Sequence, residues 1–146
     1  MKKITVKNNE HVLEEFRLYL EKKVNEVCNK IGYFPKEVYI YDAYSISMEN
    51  GVATSRNEYG YCEYKKEIVY ISKQTIEQTM ANITLDKEWN AEFAKQYGVT
   101  VHLSDLERKK FLEIVIIHEL AHSKTKKDHD AEDFKKINNE WLSIIL

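Results

Sequence analysis

Two histidines with a glutamate between them form the run of residues that is best suited to chemistry. His118, Glu119 and His122 stand in the order H-E-x-x-H. On a helix, side chains four residues apart share one face, so both imidazoles can bind one metal ion. Glu119 is rotated by about 100° from His118, which puts its carboxylate beside a metal-bound water rather than among the ligands. The pattern therefore predicts hydrolysis by a zinc-activated water, with Glu119 as general base.

A catalytic zinc ion needs at least a third protein ligand, and the sequence offers two candidates. His129 follows His122 after six residues without a large apolar side chain, a segment that can end the helix and turn the chain back. We therefore predict His118, His122 and His129 as the metal ligands. Glu140, on the next predicted helix, is the alternative third ligand. Imidazole ligands favour zinc, although the same set also binds iron, cobalt or nickel.

The histidines need a buried helix, and the residues before them predict one. Ser104 and Glu107 form the S-x-x-E pattern of a helix start. From 111 to 117 the chain is apolar nearly all round, so the helix should run to about Lys124 through the centre of the domain. Two histidines and a glutamate are costly to bury there unless they are paired or bind a metal.

Three other helical regions surround this helix in the prediction. An N-terminal helix should run from about Asn9 to Ile31 and end at Gly32. Residues 73–97 read as two shorter helical pieces. A last helix starts at about Ala131, and its apolar face carries Phe134, Ile137, Trp141 and either Ile144 or Ile145.

Strands are expected between the first helix and residue 73. Segments rich in β-branched and aromatic residues lie at 38–41, 52–54, 59–64 and 67–71, with a turn at Lys65 and Lys66. They predict a small, mostly antiparallel sheet of three or four strands. The chain has four glycines and one proline, which argues against a flexible linker. We therefore expect one α+β domain over residues 1–146.

The metal-binding run also resembles a known group of enzymes. His118 to His122, the six-residue gap, His129 and Phe134 are similar to the active helix of the SprT-like zincin metallopeptidases and their WLM and YgjP-type relatives. Gly60 and Cys62, followed by the strand at 67–72, resemble the glycine–cysteine strand and its successor in SprT-like domains. The resemblance covers about residues 60–134. It implies a zincin-like fold, zinc as cofactor and a zinc metalloendopeptidase acting on a protein or peptide substrate.

Substrate binding follows the same expectation. An extended peptide should pair with the edge of the strand nearest the cleft, here predicted at Tyr59–Tyr64. The candidates for a donor that stabilises the oxyanion are Tyr61, Tyr64 and His102.

Composition narrows the classes of function. Lys and Arg number 22 against 24 Asp and Glu, a net charge of −2 without the basic excess of a dedicated nucleic-acid binder. Basic clusters at 108–110 and at Lys124, Lys126 and Lys127 leave a DNA-associated protease as an alternative. A second alternative is a zinc-binding module that interacts with a partner and does not catalyse a reaction. The N-terminus has no apolar run of a secretory signal, and no stretch is long enough to span a membrane, so a cytoplasmic protein is predicted.

Overall fold

The structure is a computed structural model that describes residues 2–8, 12–42, 46–49, 52–55, 59–80, 95, 97 and 108–145. The helices are α1 (Glu14–Ile31), α2 (Lys73–Met80), α3 (Arg108–Thr125) and α4 (Glu132–Ile145). The strands are β1 (Val6–Asn8), β2 (Glu37–Tyr41), β3 (Ile46–Glu49), β4 (Val52–Ser55), β5 (Gly60–Glu63) and β6 (Ile68–Ser72). The predicted α+β class is confirmed.

Four of these strands form a mixed sheet in the order β1-β2-β6-β5. The pairs β1–β2 and β2–β6 are parallel, and only β5–β6 is antiparallel within this sheet. The prediction of a mostly antiparallel sheet is therefore wrong. The reason is the crossover through α1, which returns the chain to the starting edge so that β2 runs parallel to β1. Strands β3 and β4 form a separate antiparallel hairpin.

One face of the sheet packs against the helices and forms the core. Alternate residues along a strand point to opposite faces, and the buried set on the helix side is Val6, Val38, Ile40, Val69 and Ile71. Helix α3 lies at the centre and contacts α1, α2, α4, β5 and β6. Its residues 111–123 are all buried, as predicted for the helix that carries the histidines. None of the described helices combines the length and the apolar character needed to cross a membrane.

Several predicted boundaries shift. Helix α1 begins at Glu14 rather than Asn9, because the Asn8 side chain binds both the N–H and the C=O of Val12 and so competes with helical bonds there. It ends as predicted at Gly32, whose φ of 74° is left-handed. In α4 the buried residue is Ile145, whereas Ile144 is exposed. The predicted helix start at 104–107 lies outside the described residues, as does most of the helical piece before Tyr97.

Candidate metal centre

Helix α3 presents His118 and His122 side by side. Both side chains are buried, and their Nε2 atoms lie 3.2 Å apart. Two zinc–nitrogen bonds of about 2.0–2.1 Å at a tetrahedral angle would hold the nitrogens about 3.3 Å apart. The separation of the two nitrogens therefore matches that of two ligands of one zinc ion.

The orientation of the His122 ring is set by a backbone carbonyl. Its Nδ1–H donates to the carbonyl oxygen of Lys127 at 2.8 Å, and a carbonyl can only accept. The Nε2 atom of His122 therefore keeps its lone pair, as a metal ligand requires. The Nδ1 atom of His118 is also buried, and it has no hydrogen-bond partner within the described part of the chain.

Burial keeps both imidazoles neutral. It lowers the pKa of His118 from its ordinary value of 6.5 to about 3, and the neighbouring His122 and His129 add to the effect. Burial also lowers the pKa of His122, although the Lys127 carbonyl opposes this by favouring the charged ring. Neutral imidazole is the form that binds a metal, so the site is ready for one at neutral pH.

Glu119 lies between α3 and the sheet. Its side chain is buried, and a carboxylate oxygen and one ring nitrogen from each of His118 and His122 all lie within 4.8 Å of one another. On the sheet side it meets β5, since a Cβ built on Gly60 would be 3.4 Å from Glu119 Cγ. The carboxylate also acts on Cys62, whose pKa is raised by burial and then by the nearby Glu119 charge. A proton acceptor thus stands beside the histidines, next to β5.

Gly60 permits this close approach, which gives a first prediction. A Cβ at Gly60 would lie 2.7 Å from the Tyr70 carbonyl oxygen, so in Gly60→Ala the strand must move away from Glu119 and β6. We expect the free energy of unfolding to fall by about 1–3 kcal/mol and zinc affinity to fall with it. Urea denaturation and zinc titration measure the two effects.

Gly32→Ala is the matched control for that substitution. Nothing lies within 4 Å of a Cβ at Gly32, but its φ of +74° makes alanine strained. That variant should lose stability and keep its zinc affinity. Equal zinc affinity in both variants would contradict a role for Gly60 at the site.

Aromatic rings surround the two imidazoles. Phe134, from α4, stacks on His122 at 4.3 Å between ring centroids and packs edge-on against His118 at 5.2 Å. Tyr97 covers His118 at 4.5 Å, and its carbonyl accepts a hydrogen bond from the Asn138 amide at 3.0 Å. In the sequence, Tyr97 marks only the end of a predicted helical piece, whereas Phe134 is both an apolar position of the last helix and part of the run that resembles the SprT-like zincins. The contact of Phe134 with both histidines arises from the packing of α4 against α3, and the contact of Tyr97 with His118 had no sequence signal.

The two candidate third ligands differ in their positions. The His129 ring centroid lies 6.3 Å from that of His118 and 6.0 Å from that of His122. Its side chain is exposed, with Nδ1 3.2 Å from a carboxylate oxygen of Asp128, and it belongs to a second, exposed group of ligand atoms. Glu140 is exposed on α4 and belongs to neither group. His129 is therefore the candidate next to the paired histidines.

The three candidates for the oxyanion donor also differ in their positions relative to the histidines. Tyr61 stacks on Tyr70 at 4.3 Å and alternates with Gly60 and Cys62, so it lies on the sheet face away from α3. Tyr61 is therefore no longer a candidate, because the period of two along a strand turns its side chain away from the histidines. The ring centroid of Tyr64 lies 6.1 Å from that of His122. His102 falls outside the described residues.

No protein-family model matches the chain, and no curated protein sequence matches it significantly. The resemblance to SprT-like zincins thus rests on the motif residues and stays a prediction.

Proposed function

We propose that the chain is a zinc metalloendopeptidase of the zincin type, with His118, His122 and His129 as zinc ligands and Glu119 as general base. The observation that carries the proposal is the pair of buried imidazole nitrogens 3.2 Å apart on α3, with the Glu119 carboxylate beside them. The two buried imidazoles are neutral at neutral pH and close enough together for one ion, and the Glu119 carboxylate beside them can accept a proton.

The roles of the residues follow from their places. Zinc supplies a more acidic bound water and a polarised substrate carbonyl. Glu119 accepts the proton of the attacking water and passes it to the leaving amine. Its burial between α3 and β5 keeps bulk water from competing for that proton. Phe134 and Tyr97 hold the imidazole rings by packing on their faces and edges.

The position of strand β5 favours a peptide as the substrate. It is the last strand of the four-stranded sheet as described, and it lies against α3. An extended peptide can add to such an edge by main-chain hydrogen bonds. Since Gly60 of β5 is next to Glu119, a peptide paired there would pass beside the proton acceptor.

The DNA-associated alternative has less support. Lys110, in the first basic cluster, donates to the Ile145 carbonyl at 3.1 Å and lies 3.5 Å from Glu113, so its charge is engaged inside the protein. Lys124, Lys126 and Lys127 are exposed, and Lys126 is paired with Glu67. DNA affinity at low salt that falls steeply with added salt would revive this alternative.

Elemental analysis tests the metal and its third ligand together. We expect one zinc per chain in the wild type and in Glu140→Ala, because Glu140 is exposed on α4 and belongs to neither group of ligand atoms. In His129→Ala the affinity should fall by more than about 100-fold, beyond what loss of a supporting contact produces. Retained zinc in His129→Ala with loss in Glu140→Ala would reverse the assignment of the third ligand.

Cleavage of an unfolded protein tests the activity itself. The zinc-loaded chain should cut it, a chelator should stop the reaction, and added zinc should restore it. A chain that holds zinc but cuts no unfolded protein would be the interaction module instead, and a chain that takes up no metal would refute both functions.

A further inference from the structure

Two residues with a left-handed backbone lie beside the candidate metal centre. Glu67 has a φ of 58° and Lys126 a φ of 55°, and they are the only non-glycine residues of positive φ in the part of the chain that is described. Glycine adopts this conformation without steric cost, whereas other L-residues are strained in it. The side chains of the glutamate and the lysine should therefore make a contact that offsets the backbone strain at these two positions.

The side chains of these two residues meet. Lys126 Nζ lies 3.5 Å from Glu67 Oε2. The two residues belong to different loops, so the ion pair joins parts of the chain that are 59 positions apart in sequence. Two glycines would relax both loops but would leave them unconnected.

Each loop contacts the His122 ring. The first, residues 64–67, joins β5 to β6 and begins with Tyr64, whose ring faces His122. The second starts at Lys126, whose N–H donates to the His122 carbonyl at 2.9 Å. The left-handed turn at Lys126 sends the chain back, so that the next carbonyl, that of Lys127, accepts the His122 Nδ1–H.

Glu67 is a fixed anchor for this contact. The Tyr33 hydroxyl donates to Glu67 Oε1 at 3.3 Å, and Tyr33 is itself 2.5 Å from the buried Ser123 hydroxyl of α3. The Glu67 carbonyl accepts the Lys36 N–H at 2.9 Å. Glu67 is thus held at two points: its carboxylate binds Tyr33, which contacts α3, and its backbone carbonyl binds Lys36, just before β2.

We propose that the Glu67–Lys126 ion pair is a latch that positions His122. It holds the backbone at Lys126 so that the Lys127 carbonyl keeps the imidazole turned with Nε2 toward His118. Both members are positioning residues, since neither belongs to the buried group of ligand atoms formed by His118, Glu119 and His122. The proposal rests on the proposed metal centre and adds the device that sets its affinity for zinc.

Glycine substitutions separate this role from a structural one. Lys126→Gly removes the pair and relieves a strained backbone, so the melting temperature of the metal-free protein should stay level or rise. Glu67→Gly also removes the pair, but it loses the Tyr33 hydrogen bond as well, so the melting temperature is interpreted for Lys126→Gly alone. Zinc affinity should fall by about 2–5-fold, the size of effect that loss of a partly exposed ion pair can have. A purely structural pair would lower the melting temperature as well, and a fall in both quantities would overturn the latch.

Three further variants sharpen the test. The double variant Glu67→Gly with Lys126→Gly should lose no more affinity than Glu67→Gly alone, because that single variant already lacks the pair. Lys126→Arg keeps the charge and should bind zinc like the wild type. Lys36→Ala removes the other lysine near Glu67, 3.7 Å from the same oxygen, and should also leave the affinity unchanged. Additive losses in the double variant would overturn the latch.

A readout without metal keeps this proposal separate from the proposed function. In the metal-free wild type, NMR should show a slowly exchanging His122 Nδ1–H, and exchange should be faster in both glycine variants. If the wild type binds no zinc, the proposed function fails while this measurement still decides the latch. If the wild type binds zinc and the variants keep both its affinity and its slow exchange, only the latch fails.

Discussion

Replacing Glu119 by glutamine should leave zinc bound and remove nearly all hydrolysis. The amide has almost the shape of the carboxylate, so it fits the buried space between α3 and Gly60. It cannot accept the proton of the attacking water, and loss of a general base costs about 10²–10⁴-fold in rate. Zinc content by elemental analysis and cleavage of an unfolded protein by the same preparation measure the two effects.

The same helix offers a matched control for that variant. Glu113 is also buried on α3, but it pairs with Lys23 and Lys110 and lies away from the histidines. Glu113→Gln should lower stability and leave the rate per folded molecule unchanged. Hydrolysis at the wild-type rate in Glu119→Gln would remove the proposed base and with it the peptidase mechanism.

The core of the candidate site could be predicted because it is local. Spacing of four on a helix places His118 and His122 on one face whatever the fold around them, and the apolar run before them predicts the burial that α3 has. The support around them is not local. The Lys127 carbonyl that orients His122 is a backbone atom and carries no residue signature. The turn that aims it occurs at a lysine, where glycine would have been the signal.

The strand order of the sheet also depends on contacts between distant parts of the chain, so it could not be predicted from local sequence patterns. Strands β2 and β6 could be recognised from their β-branched and aromatic residues, but β1 is three residues long and contains one apolar side chain. Its parallel pairing with β2 depends on the path of α1, which no local pattern specifies. Once β5 is fixed at the end of the sheet, the alternation of Gly60, Tyr61 and Cys62 decides which side chains face α3. Tyr61 could be excluded only at that stage.

The buried imidazole of His118 should make the metal-free protein less stable in acid. The pKa of His118 is lowered by burial from 6.5 to about 3. Above pH 6.5 the ring is neutral in the folded and unfolded chains, so it has no effect on stability. Below pH 6.5 the His118 ring is protonated in the unfolded chain but stays neutral in the folded chain. The free energy of unfolding therefore falls as the pH falls toward 3. Between pH 7 and pH 5 the loss is about 2 kcal/mol, since it depends there almost wholly on the unfolded ring.

His118→Leu should therefore abolish zinc binding and protect the metal-free chain against acid. Leucine keeps an apolar side chain in the buried space next to Tyr97 and Phe134 and has no proton to take up. Urea denaturation at pH 7 and pH 5 should show the wild type losing about 2 kcal/mol more than the variant. Parallel losses in the wild type and His118→Leu would mean that His118 titrates freely in the folded chain, and a freely titrating ring is not one held in place for a metal.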